Sequence, residues 1–419
     1  MPATVGWMDI SPAAVRKLRH ALEDQAAGVV DELGLLALHT GYGERFFPGT
    51  SVLQKRARYL FFVPWMYLSL ASSSAVTAAN VGERKKKIDL RITELLKART
   101  PEPEGIIGKL TFPSPPAQPA DFVYWTALRA YGFYEGIERS SLLSRWDRRR
   151  ILRRADIRVR EEMPTEEPLG IFDVPDPPDG WLSSMDALSF SLTKKEAERL
   201  REGFRRCGAN LLAAAADALA PRSKPSLTSA VWDDRFLTAV AKSIGEHEPL
   251  IRAEQVAYLA QIARCTYAAH VEILCEADRK ATGLPPLDDG EHYRDALRGL
   301  LEEGVAFERA AELNVHAMRE DIRDPLSARL QGLVEHLQDA ARRIRRPADI
   351  DARLLDPTSH DLFRTIETHR KGMRARLHLI NGRVRREGFG RYTVAVEPLH
   401  YRWPTARWFL LDIHEGLFS

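Results

Sequence analysis

The sequence is poor in cysteine, in lysine and in strand patterning, and it lacks the short motifs that announce common chemistries. Its three cysteines, Cys207, Cys265 and Cys275, are odd in number and form no CxxC pair. That excludes a disulfide scaffold and the paired-thiol zinc and redox motifs, and it suits a reducing compartment. No uncharged apolar run reaches the roughly 18 residues that a membrane span needs. Leu211–Ala220, for example, is too short and carries Asp217. The opening MPATVGWMDIS has no basic stretch followed by an apolar one, so we expect no signal peptide, no membrane partner and a cytoplasmic location. GxxxxGK[ST] is missing, no GxGxxG follows a strand, and there is no GxSxG elbow, so nucleotide-cradling loops and a serine-hydrolase nucleophile have no sequence support.

Partial matches fail on their next residue. His369-Arg-Lys371 starts an HxKxxxxD pattern, but Arg376 stands where the Asp is required. VPDPPDG has no downstream Glu-x-Lys on a strand. HVEILCE gathers His270, Glu272 and Cys275 without a PCxxC partner. On a helix His270 and Glu272 also point about 200° apart, so we expect a packed helix with a surface histidine rather than a ligand set. No catalytic residues, no metal site and no cofactor follow from the sequence.

Arginine is what the chain has in excess. Lys and Arg total 61 against 58 Asp and Glu, for a net charge of +3, and arginines outnumber lysines 48 to 13. Guanidinium groups suit carboxylate and phosphate forks. They concentrate in Arg145–Arg160, with eight Arg against two Asp, and again in the stretch from Arg370 to Arg391. In the first, Ile151, Leu152 and Ala155 are expected to pack while Arg148, Arg149, Arg153 and Arg154 project. In the second, Arg370, Lys371 and Arg374 lead the row. Segregated basic faces on a near-neutral chain point to a polyanion or an acidic partner, so nucleic acid is the expected ligand of these seven residues. Pairing of the first row with the acidic segment that follows it is the competing reading.

Helical periodicity dominates. Ser11-Pro12 is a helix entrance, followed by a stripe at Val15, Leu18, Leu22 and Ala26. Asp121–Glu135 repeats that spacing, and Thr193 with Glu196 forms a capping box ahead of a run to Leu219. Ile251–Lys280, Tyr293–Arg346 with a stop near Asp324-Pro325, and Ser359–Asn381 read as long helices. Only Arg391–Leu399 and Ile157–Val159 suggest strands. Glu161–Gly180 carries seven acids and five prolines and cannot continue a helix. The expected fold is therefore mainly α and multi-helix, in two helical halves with at most a minor β element. Residues 1–160 form an N-terminal helical domain, 161–190 an acidic Pro-rich linker and 191–419 a C-terminal helical domain.

The stretch GERFFPGTSVLQKRARYLFFVPW, Gly43–Trp65, looks most like a site. Pro48-Gly49 suits a type II turn, with Gly supplying the positive φ. Ser51 and Gln54 suggest a capping box and a helix from Val52, which Pro64 should kink or end. N–H groups near Thr50 and Ser51 could receive an anion. The preferred reading makes Arg56 and Arg58 structural, paired inside the core with Asp31, Glu32 or Glu44.

These strings together resemble an uncharacterised bacterial family described only as a domain of unknown function. Its DELG…FPGTSxLQxRARYxxFVPW signature is joined by GWMDIS, GIIGKL, FVYWTALRAYGFYE, SLTKKEAERLRE, RARLHLINGR and LHYRWPTARWFLLDIHEGL. The resemblance brings no catalytic residue. It implies genes that lie near helicase and phospholipase D-like nuclease genes in defence islands. The expected function is thus a non-catalytic helical subunit of an anti-phage system that contacts nucleic acid, or a helicase or nuclease partner from the same locus. An enzyme acting on phosphate-containing substrates around Arg56, Arg58, Asp31 and Glu32, and a protein-only scaffold or sensor, are the alternatives.

Overall fold

A computed structural model of the chain describes residues 31–99, 105–160, 167–183, 188–227, 230–286, 292–323, 326–387 and 397–419. The stripe at Val15–Ala26, the break at Asp324-Pro325 and most of the Arg391–Leu399 strand candidate lie outside these residues. The protein is mainly α. Its β content among the described residues is three short strands, β1 (Tyr134–Gly136), β2 (Ile151–Arg153) and β3 (Gly170–Phe172), in the order β1-β3-β2. β3 runs antiparallel to β1 and parallel to β2.

Packing divides the chain into two units at boundaries the sequence did not suggest. One comprises residues up to 42 with Glu248–His400, and the other comprises Gly43–His247 with Tyr401–Ser419. The described part of the segment expected as a linker, 167–183 and 188–190, is built into the second unit. β3 is the middle strand of its sheet, Leu169 N–H bonds Arg150 O at 2.8 Å, and Trp65 Nε1 donates to Pro175 O at 2.8 Å. Prolines exclude helix there, but they leave extended backbone free to pair.

In the second unit, helix Tyr59–Ser72 carries the aromatic core. Tyr59, Phe61, Phe62, Trp65 and Tyr67 are all buried, and the helix packs on Val81–Arg99 and Ala120–Ala130. Helix Trp403–Phe418 packs against Lys194–Arg205, where a Cβ at Gly416 would meet the Leu192 carbonyl at 3.0 Å. The capping box at Thr193 and Glu196 is present. The run behind it breaks after Arg205, and Asn210 caps a second helix, Leu211–Ala218.

In the first unit, helix His247–Ala281 buries a nearly continuous row from Val256 to Glu272. The expected run Tyr293–Arg346 is four helices: His292–Glu303, Val305–Glu312, Val315–Ile322 and Ala328–Arg343. Gly304 with φ of 78° and the cap Asn314 interrupt it. Helix Pro357–Lys371 stops at Gly372, φ 55°, ten residues before the expected Asn-Gly signal. Ile157–Val159 lies in helix Arg154–Arg160 rather than a strand, and the strand of this region is β2.

His270 is buried rather than on the surface, at 1% exposure. Its ring meets His360 edge-on at 5.2 Å. Loss of water, then the neighbouring His360, pushes its imidazole down to about 4, against about 6.5 for an unfolded histidine. The folded state therefore favours the neutral ring. Its contribution is full above pH 6.5 and is lost as pH falls toward 4, by about 3 kcal/mol at most. We expect the urea midpoint of the native chain to fall more steeply between pH 6.5 and 4.5 than that of His270→Gln. Parallel slopes would refute the assignment.

Candidate functional site

The signature stretch folds as a turn before it folds as a helix. Thr50 N–H closes on Phe47 O at 3.2 Å around Pro48-Gly49, and Gly49 takes φ of 78°. A side chain at that position would strike Tyr131, whose hydroxyl donates to Pro48 O. Ser51 N–H meets Gln54 Oε1 at 3.2 Å, so half of the expected capping box forms. The helix does not begin there. Lys55 and Arg56 N–H both donate to Tyr124 Oη, and Ala57 N–H donates to Asp412 Oδ2 at 2.8 Å. Donors that a helix would turn on its own carbonyls are claimed by other segments, so helix begins at Tyr59 and runs through Pro64 to Ser72. The anion position near Thr50 and Ser51 is filled by Phe47 O and Gln54 Oε1.

Arg56 and Arg58 are paired, but with other carboxylates than expected. Arg56 holds Asp412 through Nε at 3.1 Å and Nη2 at 2.7 Å, while its guanidinium lies 4.5 Å from the Phe190 ring centre and 5.4 Å from that of Trp408. Burial pushes the Asp412 carboxyl up to about 6, against the opposing charge of Arg56. Arg58 is buried and reaches Glu196 Oε1 at 3.2 Å. Glu44 instead takes Arg402 at 2.7 Å. Asp31 and Glu32 belong to the other unit: Asp31 binds Arg370 at 2.9 Å, and Glu32 binds Lys371 at 2.8 Å and Arg376 at 2.9 Å.

Those pairs also change the basic faces. Arg370 and Lys371 are neutralised by Asp31 and Glu32. In the other unit Arg153 pairs with Asp156 and Asp176, and Arg154 with Glu135. Asp176 comes from the acidic segment, so the competing reading holds for Arg153. Arg149 stands 83% exposed, with Asp147 only at 3.9 Å. Arg145 and Arg148 are exposed and make no ion pair among the described residues. Arg374 and Arg385, both exposed, and the half-buried Arg383 have no carboxylate partner among them either. Of the seven nominated cations, Arg148, Arg149 and Arg374 thus present charge to solvent, and Arg145, Arg383 and Arg385 join them.

Two buried clusters escaped the sequence reading. Lys85 bridges Asp89 at 2.7 Å and Asp121 at 2.8 Å, and Asp121 also accepts from Tyr67 Oη and Arg139. Burial raises Asp89 to about 6. The i,i+4 spacing of Lys85 and Asp89 was the available signal; Asp121 gave none. In the first unit Glu367, fully buried, accepts Tyr267 Oη at 2.7 Å and the N–H groups of Arg376 and Leu377. An open cavity of about 580 Å³ in the second unit is lined by Trp408, Leu411, His414 and Phe418. There His414 Nε2 lies 3.0 Å from Ala220 O and Glu415 accepts from Ser191. No group of three or more His, Cys, Asp and Glu among the described residues could hold a metal ion.

Removing one partner of a buried ion pair strands the other, at a cost of about 3–5 kcal/mol. Asp412→Ala, which also orphans Ala57 N–H, should therefore lower the unfolding free energy by that amount, whereas Arg374→Ala should change it by less than about 0.5 kcal/mol. Equal denaturation curves for Asp412→Ala and the native chain would refute the role given to this carboxylate.

No curated protein and no solved structure matches the chain. Residues 3–224 match a family of unknown function, DUF6361, and because that match spans more than half of the sequence, the chain belongs to this family.

Proposed function

We propose that the protein is a non-catalytic helical subunit of a bacterial anti-phage defence system, and that it contacts nucleic acid through arginines that no carboxylate among the described residues neutralises. The observation that carries this reading is the contrast within each arginine-rich segment. Arg153, Arg154, Arg370 and Lys371 are paired at close range. Arg145 and Arg148 in one unit, and Arg374, Arg383 and Arg385 in the other, make no ion pair among the described residues. Arginines left over while so many others are paired among the described residues suit charge outside the chain. The defence setting, and a helicase or nuclease as further partner, rest on the gene neighbourhood implied by the family resemblance.

The alternative enzyme loses the residues on which it was built. Arg56, Arg58, Asp31 and Glu32 are each held by a different carboxylate or cation. A protein-only scaffold draws support from apolar side chains exposed beside Arg374, and salt dependence separates it from nucleic-acid binding. Fluorescence anisotropy with a labelled duplex of about 30 base pairs should show affinity falling steeply between about 50 and 200 mM salt. Arg145→Ala/Arg148→Ala/Arg149→Ala should flatten the log–log slope by about 0.9 for each phosphate that is no longer neutralised. No binding to duplex or single strand at the lowest salt would refute the nucleic-acid reading.

A further inference from the structure

Ten large apolar side chains stand exposed among the described residues, and four of them fall within one short segment: Met373, Leu379, Ile380 and Val384. Single exposed apolar residues are ordinary; a cluster calls for a cause. Ile380 and Val384 are 83% and 80% exposed.

The cause of the display lies inside the turn that residues 375–382 make between the 3-10 helix Gly372–Arg374 and the short helix Arg383–Arg386. Its interior is occupied by the guanidinium of Arg386, a residue 1% exposed. Nη1 donates to the carbonyls of Arg376 and His378, Nη2 donates to that of Leu379, and Nε meets Asp278 Oδ2 at 2.8 Å. Gly382 is pressed into the same knot, since a Cβ there would meet Arg376 O at 2.3 Å and His378 O at 2.5 Å. Asn381 Nδ2 lies 3.5 Å from Met373 Sδ and closes the turn across its mouth. Leu377 and Ala375 of this stretch are buried, whereas with carbonyls gathered on a buried cation Met373, Leu379, Ile380 and Val384 are left on the outside. They are held there by a satisfied polar centre.

Around them stand Arg374, Arg383 and Arg385 without carboxylate partners among the described residues, and residues 372–387 contain one acid, Glu387. We propose that this turn is a wedge for the minor groove of double-stranded nucleic acid. Ile380, with Leu379 and Val384, enters between base pairs, and the three arginines meet the groove and its flanking phosphates. The proposal rests on the nucleic-acid reading above and adds to it the duplex form, the groove and a deformation of the duplex. Aliphatic wedges flanked by Arg and Asn are the equipment with which proteins unstack and kink a duplex from its minor groove, and a narrow groove concentrates the negative potential that Arg fits. A single-strand platform stacks bases on aromatic rings, and residues 372–387 contain no Phe, Tyr or Trp. Four aliphatic side chains are few for a stable protein interface, which needs about 800 Å² per partner. Burying Asn381 beside Ile380 in lipid would leave its amide without water.

The test uses the full chain and an A·T-rich duplex of about 30 base pairs carrying a donor and an acceptor dye at its ends. The native chain should bring the ends together, with a bend of about 20–90°. Ile380→Ala/Val384→Ala should bind the duplex within about threefold of the native chain yet lose the bend. Arg383→Ala/Arg385→Ala should weaken binding and bending together. None of the four side chains is buried, so unchanged circular dichroism and thermal midpoints are expected and show that the variants fold. Four results overturn the wedge while leaving the nucleic-acid reading intact. They are duplex binding without bending, undiminished bending by Ile380→Ala/Val384→Ala, a preference for the same sequence as single strand, and a loss in that variant only of sedimentation with phosphatidylglycerol vesicles. Failure of the native chain to bind any nucleic acid at low salt overturns both.

Discussion

A guanidinium drawn largely out of water needs a carboxylate, and the pair Arg56–Asp412, with side chains 17% and 2% exposed, is where this constraint governs the second unit. Asp412 accepts twice from Arg56 and once from Ala57 N–H, so one side chain near the C-terminus fixes both the side chain and the backbone of the signature turn. The rings of Phe190 and Trp408 beside the cation keep water away, which strengthens the pair and makes either partner costly alone. From that turn the helix Tyr59–Ser72 departs with its aromatic side chains inward. Glu196 extends the same logic. One oxygen receives Thr193 N–H to complete a capping box and the other receives Arg58, so a local helix signal and a long-range ion pair share one carboxylate.

The first unit solves the same problem with backbone. Glu367 is buried and is satisfied by a phenol and two main-chain N–H groups. Arg386 is buried with Asp278 and three main-chain carbonyls. These opposite charges settle the path of residues 372–387 from both sides, one gathering donors and the other gathering acceptors. Between the 3-10 turn Gly372–Arg374 and the one-turn helix Arg383–Arg386, this side-chain organisation helps give the segment a defined shape.

Local signals were legible and partners were not. Thr193-x-x-Glu196 announced its helix, the φ of Gly49 followed from Pro-Gly, and mainly helical content followed from periodicity. The start of the signature helix was misread because Ser51 and Gln54 carry the right residues, while the acceptors that divert the next three N–H groups are Tyr124 and Asp412, far away in sequence. The same distance hid the ion pairs. Arg370 and Asp31 are 339 residues apart, and no spacing rule joins them. His270 was read as a surface residue because a helix pattern with apolar residues on several faces does not reveal that all of them are covered. The acidic segment was read as a linker because Pro and Asp exclude helix. What integrates it is a three-residue strand, the bond from Trp65 and pairs with distant partners such as Arg153–Asp176, too little local patterning to detect in sequence.

Counting arginines along the sequence therefore overstates a basic face. Each segment contains both kinds, those that folding uses and those it leaves over, and the division depends on carboxylates brought from elsewhere. Arg153 and Arg154 are drawn into pairs by Asp176 and Glu135, and Arg370 and Lys371 by residues near the other end of the chain. Arg148 and Arg374 have no such supply among the described residues. Folding alone gives no reason for unpaired arginine, since lysine or serine at those surface positions would change stability little. The same holds for Ile380 and Val384, whose exposure gains nothing from burial. Side chains that contribute little to the folded state, held in place by a buried Arg386 that contributes much, are best understood through what the protein meets outside itself.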